Sequence, residues 1–441
     1  MDDDLIVEQL LDRCKCFIEQ ILQAVELHSV AAASLAIWEH MRDVARAVLQ
    51  AKVELEAQQC RHHALPPCCP EAEVTYVHTR TVSPRTLFGA ITIPVRTFQC
   101  TGCGSSLRPD DTFLGVPERG EFTDDVRLLY TPLVAELPHR VANDLLRRVT
   151  GLELSSCGAQ GIIDSSAADH AQWRTDIDAQ ADATVAEPLE AGEDAHSLHL
   201  EIAMDGVKAH IDGRWQEPKV ATILVRRLPV EAQEPTRGTV VARRYLCILG
   251  SAEALVTRIK AMIRDAGWAQ LPVAAILGDG APWIWHVAEA HFPGVRQTLD
   301  YYHLSEHLYA VAQLLFPEAP EHAKQWVEGK QAACLTDRVG DVLGGLRRLR
   351  PSLPAVQQAV TQLLGYVETN RTRIRYQEPW HSGLAVGSGS VEGACKHVVQ
   401  ARFKRAGMRW TTQGFLHVLE LRLARLNGTL PTFWASRGLA A

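Results

Sequence analysis

Apolar positions in residues 4–58 recur at helical spacing. Leu5, Leu10, Leu11, Ile18, Ile21 and Leu22 approximate one stripe, and Val44, Ala45, Val48 and Leu49 another. The spacing predicts two helices, an arm for packing or oligomerisation. Pro66-Pro67-Cys68-Cys69-Pro70 breaks any helix. Short strands are expected over Val74–His78, Thr86–Phe88 and Ala90–Phe98, with Gly89 at a turn. Residues 121–185 return to helical periodicity. Val141, Leu145, Leu146 and Val149 line one face of a helix over His139–Thr150, which Gly151 ends. Ser155 or Ser156 can cap a second helix running through Ile162, Ile163 and Ala167 to Trp173. Helix, short glycine turn and helix is the spacing of a helix-turn-helix, a pattern that many helical hairpins share.

An acidic, Ala-rich stretch at Asp182–Asp194 reads as a linker. Strands are then expected over His199–Met204, Val220–Arg226, Arg243–Leu249, Val273–Leu277 and Val295–Leu299. Helices are expected over Ala252–Ala266, Pro282–His291 and Leu304–Phe316. Three successive strands followed by alternating helices and strands predict a mixed α/β sheet of ribonuclease H type. Residues 317–384 read as helical with no strand signal. Gly387-Ser-Gly389-Ser390 caps a helix over Val391–Arg405, and a last helix covers Thr411–Asn427. The expected organisation is a helical arm (1–60), a zinc-ribbon-like β module (61–118) and a helix-turn-helix region (119–185). A ribonuclease H-like core follows in two parts (196–316 and 385–441), separated by a helical insertion (317–384).

Composition and charge change this picture in two places. With 441 residues, 46% hydrophobic and 22% charged, the chain has the balance of a folded protein of several domains. No apolar run reaches the ~18 residues of a membrane helix. The start Met1-Asp2-Asp3-Asp4 is unlike a signal peptide, so a cytoplasmic protein with no membrane partner is expected. The net charge of −7 hides a gradient. Residues 1–60 hold eleven acids and five bases, whereas residues 371–441 hold eleven bases and three acids. The basic end is either a polyanion-binding surface or a solvated face.

Eleven cysteines, an odd number, argue against a disulfide framework. Cys14, Cys157, Cys247 and Cys395 fall in apolar or helical patterns and are expected as small core residues. Cys100-Thr-Gly-Cys103-Gly104, after a strand, has the spacing of a zinc knuckle, in which thiolates hold the metal. The facing half offers only Cys68-Cys69, or Cys60 with His63. The alternative is a ribbon that keeps its shape without Zn²⁺.

Two expected strands end in acid-glycine, at Asp205-Gly206 and Gly278-Asp279-Gly280. Each aspartate alone reads as a turn residue. Together, on adjoining strands of a ribonuclease H sheet, they would face one point, and like charges at close range call for a cation. Hard oxygen ligands select Mg²⁺ or Mn²⁺. Glu392 fits as a third acid, in the first turn of a helix and followed by the small residues Gly393 and Ala394. Its alternative role is to pair with Lys396 four residues on. Two divalent ions would clamp the attacking and leaving oxygens of a phosphoryl transfer.

The motifs Ala203-Met-Asp205-Gly206, Leu277-Gly-Asp279-Gly-Ala281, Leu299-Asp300-Tyr-Tyr-His303, Gly387-Ser-Gly-Ser-Val-Glu392-Gly and Arg402-Phe-Lys404-Arg405-Ala-Gly407-Met-Arg409-Trp410 form a set. As a set they resemble the Asp-Asp-Glu transposases of bacterial insertion sequences, the Kra-type (ISKra) family in particular. The likeness runs from about residue 85 onward. It implies a DNA transposase that cleaves and joins strands at insertion-sequence ends, with Asp205, Asp279 and Glu392 as its Mg²⁺-binding triad. It makes Asp300 and His303 an accessory Asp-x-x-His element, and it implies a homo-oligomer acting on double-stranded transposon ends and target DNA. Lys396, Arg402, Lys404, Arg405 and Arg409 could neutralise phosphates, and Trp410 could stack on a base or cap the core. The damaged first cysteine knuckle departs from the family pattern. A non-catalytic or repurposed DNA-binding descendant is one alternative. A zinc metallopeptidase using His303-Leu-Ser-Glu306-His307 is another, although it leaves the acid-glycine strand ends without a role.

Overall fold

A computed structural model describes residues 3–26, 28–60, 69, 72–116, 121–180, 197–229 and 237–439. Two compact units emerge, Met1–Asp169 with Pro431–Ala441, and His170–Leu430. The expected linker at Asp182–Asp194 lies outside the described residues. No described helix is long and apolar enough to cross a membrane.

In the first unit, helices α1 (Asp3–Ala24) and α2 (Val30–Cys60) pack together as a hairpin. A small β module follows: β1 (Val74–Val82), β2 (Arg85–Thr86), β3 (Gly89–Ala90), β4 (Ile93–Cys100) and β5 (Ser106–Leu107). β4 lies between β1 and β5, antiparallel to both. Its alternating Ile93 and Val95 are buried with Ile91 and Val116. Helices α3 (Pro109–Phe113), α4 (Asp124–Glu136) and α5 (His139–Thr150) come next, then α6 (Ser156–Gln180). Gly151 ends α5 in the left-handed conformation at φ 70°, which a side chain would strain. Arg127 of α4 is buried and ties α4 to α6, with its guanidinium on Asp124 (2.7 Å), Ser166 (3.0 Å) and Asp169 (2.6 Å). Arg147 and Arg148 both pair with Asp144 on their own helix.

The second unit is built on a five-stranded mixed sheet. Its strands are β6 (Leu198–Gly206), β9 (Lys219–Arg227), β10 (Thr239–Ile248), β11 (Val273–Gly278) and β12 (Arg296–Leu299); between β6 and β9 lies a hairpin of β7 (Ala209–Ile211) and β8 (Arg214–Gln216). The order is β10-β9-β6-β11-β12. β6, β9 and β10 form an antiparallel meander, and β11 and β12 run parallel to β6 on its other side. The middle strands are near-continuous apolar runs because helices cover both faces. Helices α7 (Ala252–Asp265), α8 (Pro282–His291) and α9 (Tyr301–Leu315) join the main core. Helices α10 (Pro320–Leu335), α11 (Val339–Arg348), α12 (Pro354–Thr369) and α13 (Gln377–Ser382) occupy the stretch where no strand was expected. The expected helix over Val391–Arg405 is broken into α14 (Gly389–Ala394), a π-helical turn at Cys395–Gln400 and α15 (Ala401–Phe403). Helices α16 (Thr412–Leu426) and α17 (Thr429–Ser436) close the chain.

Candidate active site

Strand alternation decides which side chains meet at the end of the sheet. In β6, Leu200, Ile202 and Met204 enter the main core, so Glu201, Ala203 and Asp205 point to the opposite face. β11 lies parallel to β6 with Ile276 opposite Ile202 and Gly278 opposite Met204. Ile276 is in the same core, and a Cβ on Gly278 would strike Ile284 of α8 at 2.8 Å. Asp279, the next residue, is therefore aimed at the face that carries Asp205, one strand spacing (~4.8 Å) away. Its Oδ1 accepts the Ala281 N–H at 2.9 Å, at the start of α8. Gly280 has φ 106°, and a Cβ there would fall 2.9 Å from the Tyr366 ring. Tyr366, on α12, donates its hydroxyl to the Asp279 carbonyl at 2.7 Å.

The electrostatics reflect this placement. Burial, and then the charge of Asp279, push the Asp205 carboxyl up to about 6. The Gly206 N–H (2.6 Å), the Cys395 thiol (3.5 Å) and the nearby His303 act the other way without cancelling it. Cys395, expected only as a small core residue, is the first side chain to meet Asp205 from the far end of the sequence.

Asp300 follows β12, so three aspartates end three adjoining parallel strands. Its carboxylate, however, is fully engaged in backbone-positioning bonds. Oδ1 accepts the N–H groups of Tyr302 (2.5 Å) and His303 (2.9 Å) and caps α9. Oδ2 accepts the N–H of Ser388 at 2.7 Å and also its hydroxyl. Ser388 thus gives its hydroxyl to Asp300 and makes no side-chain cap on α14. Asp300 acts by fixing the turn that launches the Glu392 helix.

That helix crosses the face of Asp205. Ser390 Oγ lies 3.5 Å from Thr222 Oγ1, and the Ala385 N–H donates to Glu201 at 2.7 Å. Glu201 is itself paired with Arg226 in the interior. Glu392 stands one turn before Cys395, but its carboxylate is exposed and bound by Lys396. The three carboxylates are not gathered within 4.8 Å of one another. Buried Arg422 of α16 donates to two carbonyls of the π-helical turn just beyond, those of His397 and Val398 (Nε to each at 3.0 and 2.9 Å).

The histidines of His303-x-x-Glu306-His307 sit on α9 with ring centroids 5.1 Å apart. His307 is half-buried against the Tyr366 ring, 4.4 Å away, and burial and His303 lower its pKa. Among the described residues no third metal-type ligand closes on the pair.

The basic segment departs from expectation at Arg402, and Trp410 takes the core-capping alternative. Arg402 is fully buried, its guanidinium 4.9 Å from the Trp410 ring centroid, so it does not offer its charge at the surface. Trp410 donates Nε1–H to the Phe403 carbonyl at 3.2 Å and bridges by its backbone to Ile211, which makes it a packing residue. Lys404, Arg405 and Arg409 are exposed. The exposed indole beside them is Trp215 of the β7–β8 hairpin, with the Lys404 ammonium 5.8 Å from its ring centroid.

In the first unit, Cys69, Cys100 and Cys103 bring their sulfur atoms within 4.8 Å of one another, the one such cluster of metal-type ligands among the described residues. The Cys100–Gly104 turn has knuckle geometry, with the Gly104 N–H on the Cys100 carbonyl at 2.9 Å. Cys69 fits against Gly102, whose Cβ would lie 3.1 Å from its own. The hydrogen bond with Cys103, then burial, then the hydrogen bond with Cys100 raise the Cys69 thiol above its ordinary value. The side chains of Cys60, His63 and Cys68 lie outside the described residues. Cys157, expected in the core, is exposed.

Fold and site together define a mixed α/β protein with paired aspartates at adjoining parallel strand ends. Residues 167–433 match the uncharacterised protein family UPF0236, and the chain belongs to that family. No curated protein matches it.

Proposed function

We propose that this chain is a DNA transposase of the Asp-Asp-Glu type, of the Kra kind, with a ribonuclease H-like core. The observation that carries the reading is the side-by-side placement of Asp205 and Asp279 under the Glu392 helix. The strand order β10-β9-β6-β11-β12, an antiparallel meander joined to two parallel strands, supports the same reading. So does a helical insertion ahead of Glu392.

Asp205, Asp279 and Glu392 fit divalent cations of the Mg²⁺ or Mn²⁺ class. Their donors are hard oxygens, and the repulsion that helps raise Asp205 is what a cation relieves. When bound, such ions activate a water or a 3′-hydroxyl and stabilise the leaving oxygen. The side chains do the rest. Lys396 holds Glu392 at rest, and a DNA phosphate competing for Lys396 frees that carboxylate. Lys404, Arg405 and Arg409 contact backbone phosphates, and Trp215, in place of Trp410, stacks on an unpaired base. Cys69, Cys100 and Cys103 hold Zn²⁺, with a fourth ligand from Cys60, His63 or Cys68.

The test is metal-dependent cleavage and joining of DNA carrying the element's own ends, with wild type and Asp279→Asn. The reading requires products only with Mg²⁺ or Mn²⁺ and none from a folded Asp279→Asn. DNA binding without cleavage in both proteins would instead favour a non-catalytic descendant.

A further inference from the structure

The α1–α2 hairpin leaves an apolar face uncovered. At about 100° per residue, Leu10, Cys14, Phe17 and Ile21 of α1 form the stripe turned toward α2. Ala33, Val44, Ala47 and Ala51 form its counterpart on α2. A second stripe on α1, Val7, Leu11, Ile18 and Leu22, is rotated about 80° from that seam. On α2, Val30, Ile37, Met41 and Val48 are rotated by a similar angle in the same rotational sense. Two antiparallel helices turned by the same sense from a shared seam present those stripes on one side of the hairpin. All eight side chains are 42–80% exposed. The rest of the unit meets α2 elsewhere. Trp38 Nε1–H bonds the Val149 carbonyl at 3.1 Å, and Gln50 bonds the Thr92 carbonyl at 2.9 Å.

We infer that this face is the dimerisation surface of the protein, covered by the same hairpin of a second copy to give a four-helix bundle. Two observations select that occupant. The stripe repeats at steps of four, seven and eleven residues, the period of helix-on-helix packing and not of a small-molecule cavity. The exposed apolar area is on the order of 750 Å² per copy, close to the ~800 Å² per partner of a standard interface. A face made of the same residues on both sides closes by a twofold axis.

The test is sedimentation velocity of the full chain from about 1 to 50 µM, without DNA. Wild type should be a dimer in this range. Leu11→Glu and Ile37→Glu should each sediment as a monomer, with unchanged helical circular dichroism and melting temperature. Arg13→Glu, on the opposite side of α1, should remain a dimer. A wild type that stays monomeric at 50 µM overturns the inference, whether or not it floats with lipid vesicles. So does a dimer that survives both substitutions in folded protein. If either glutamate variant unfolds, Leu11→Gln and Ile37→Gln replace it, with weakening of the dimer by at least tenfold as the expected result.

Discussion

The carboxylate of Asp300 receives the N–H of Ser388 at 2.7 Å, although 88 residues separate them. The end of β12 is thereby fastened to the turn that starts the Glu392 helix, and with the Tyr301 N–H on the Val386 carbonyl at 3.0 Å it closes the base of the α10–α13 insertion. Asp300→Asn tests its weight. The amide must turn its NH₂ toward donors on one side, either the α9 N–H groups or Ser388. The expected cost is about 2–3 kcal/mol in urea unfolding. Ser388→Ala keeps the N–H bond and loses only the hydroxyl, for about 1 kcal/mol. Equal costs for the two variants would show that the backbone N–H contributes nothing.

Arg422 donates to the His397 and Val398 carbonyls of the π-helical turn. It is buried, so its loss leaves both the carbonyls and a void. Arg422→Leu should destabilise the protein by about 3 kcal/mol or more. Amide exchange should accelerate first at residues 395–403 and not in β6 or β11. Uniform acceleration across the sheet would mean that Arg422 supports the fold globally and has no special tie to the turn.

Tyr366 joins the insertion to the site through a single hydrogen bond to the Asp279 carbonyl. Tyr366→Phe keeps the ring that covers Gly280 and removes only the hydroxyl. The fold should lose about 1 kcal/mol. The Asp279 backbone, no longer held, should give weaker Mn²⁺ binding by titration calorimetry, by about threefold to tenfold. Unchanged Mn²⁺ affinity would mark the hydroxyl as a packing detail.

Much of this was legible in the periodicity. β6, β11, α5 and α8 fall where their apolar patterns put them, because each must cover a core of fixed spacing. The turn after β11 announces itself because φ 106° at Gly280 admits little else. What periodicity cannot carry is partnership across the chain. Cys395 reaches Asp205 over 190 residues, and nothing local to either marks the pair. Arg402 looked like a surface charge because arginine is almost never fully buried. Its cover is the indole of Trp410 and the sulfur of Met408, in the loop six to eight residues on. The π-helical turn was invisible because its residues would serve an α-helix equally well. The β7–β8 hairpin, in contrast, carried a readable signal in Asp212-Gly213, both at positive φ.

The three thiols at Cys69, Cys100 and Cys103 set a metal expectation that is independent of catalysis. Protein purified without chelator should carry about one Zn²⁺ per chain, and Cd²⁺ exchange should give a thiolate charge-transfer band. Cys69→Ser should lower the metal content by more than half and the melting temperature by several degrees, since a structural zinc contributes folding energy directly. Full occupancy in Cys69→Ser would remove that cysteine from the ligand set.

The acid pair predicts an unusual dependence of stability on pH. Asp205 titrates at about 6 in the folded protein, against 3.8 for an ordinary aspartate. A carboxyl raised on folding holds its proton more tightly when folded. Its contribution is therefore unfavourable above pH 6, is relieved as pH falls through 6, and is fully relieved below 3.8. In EDTA, going from pH 8 to pH 5 should stabilise wild type relative to Asp205→Asn by about 1 kcal/mol. Using the variant as reference cancels the other titrating groups. Asp279→Asn should shrink this difference by lowering the Asp205 pKa. Saturating Mg²⁺ should reverse the slope, because a cation binds the charged carboxylate and is lost as Asp205 protonates. Parallel pH profiles for wild type and Asp205→Asn in EDTA would show that Asp205 is neither as buried nor as close to Asp279 as their strands place them.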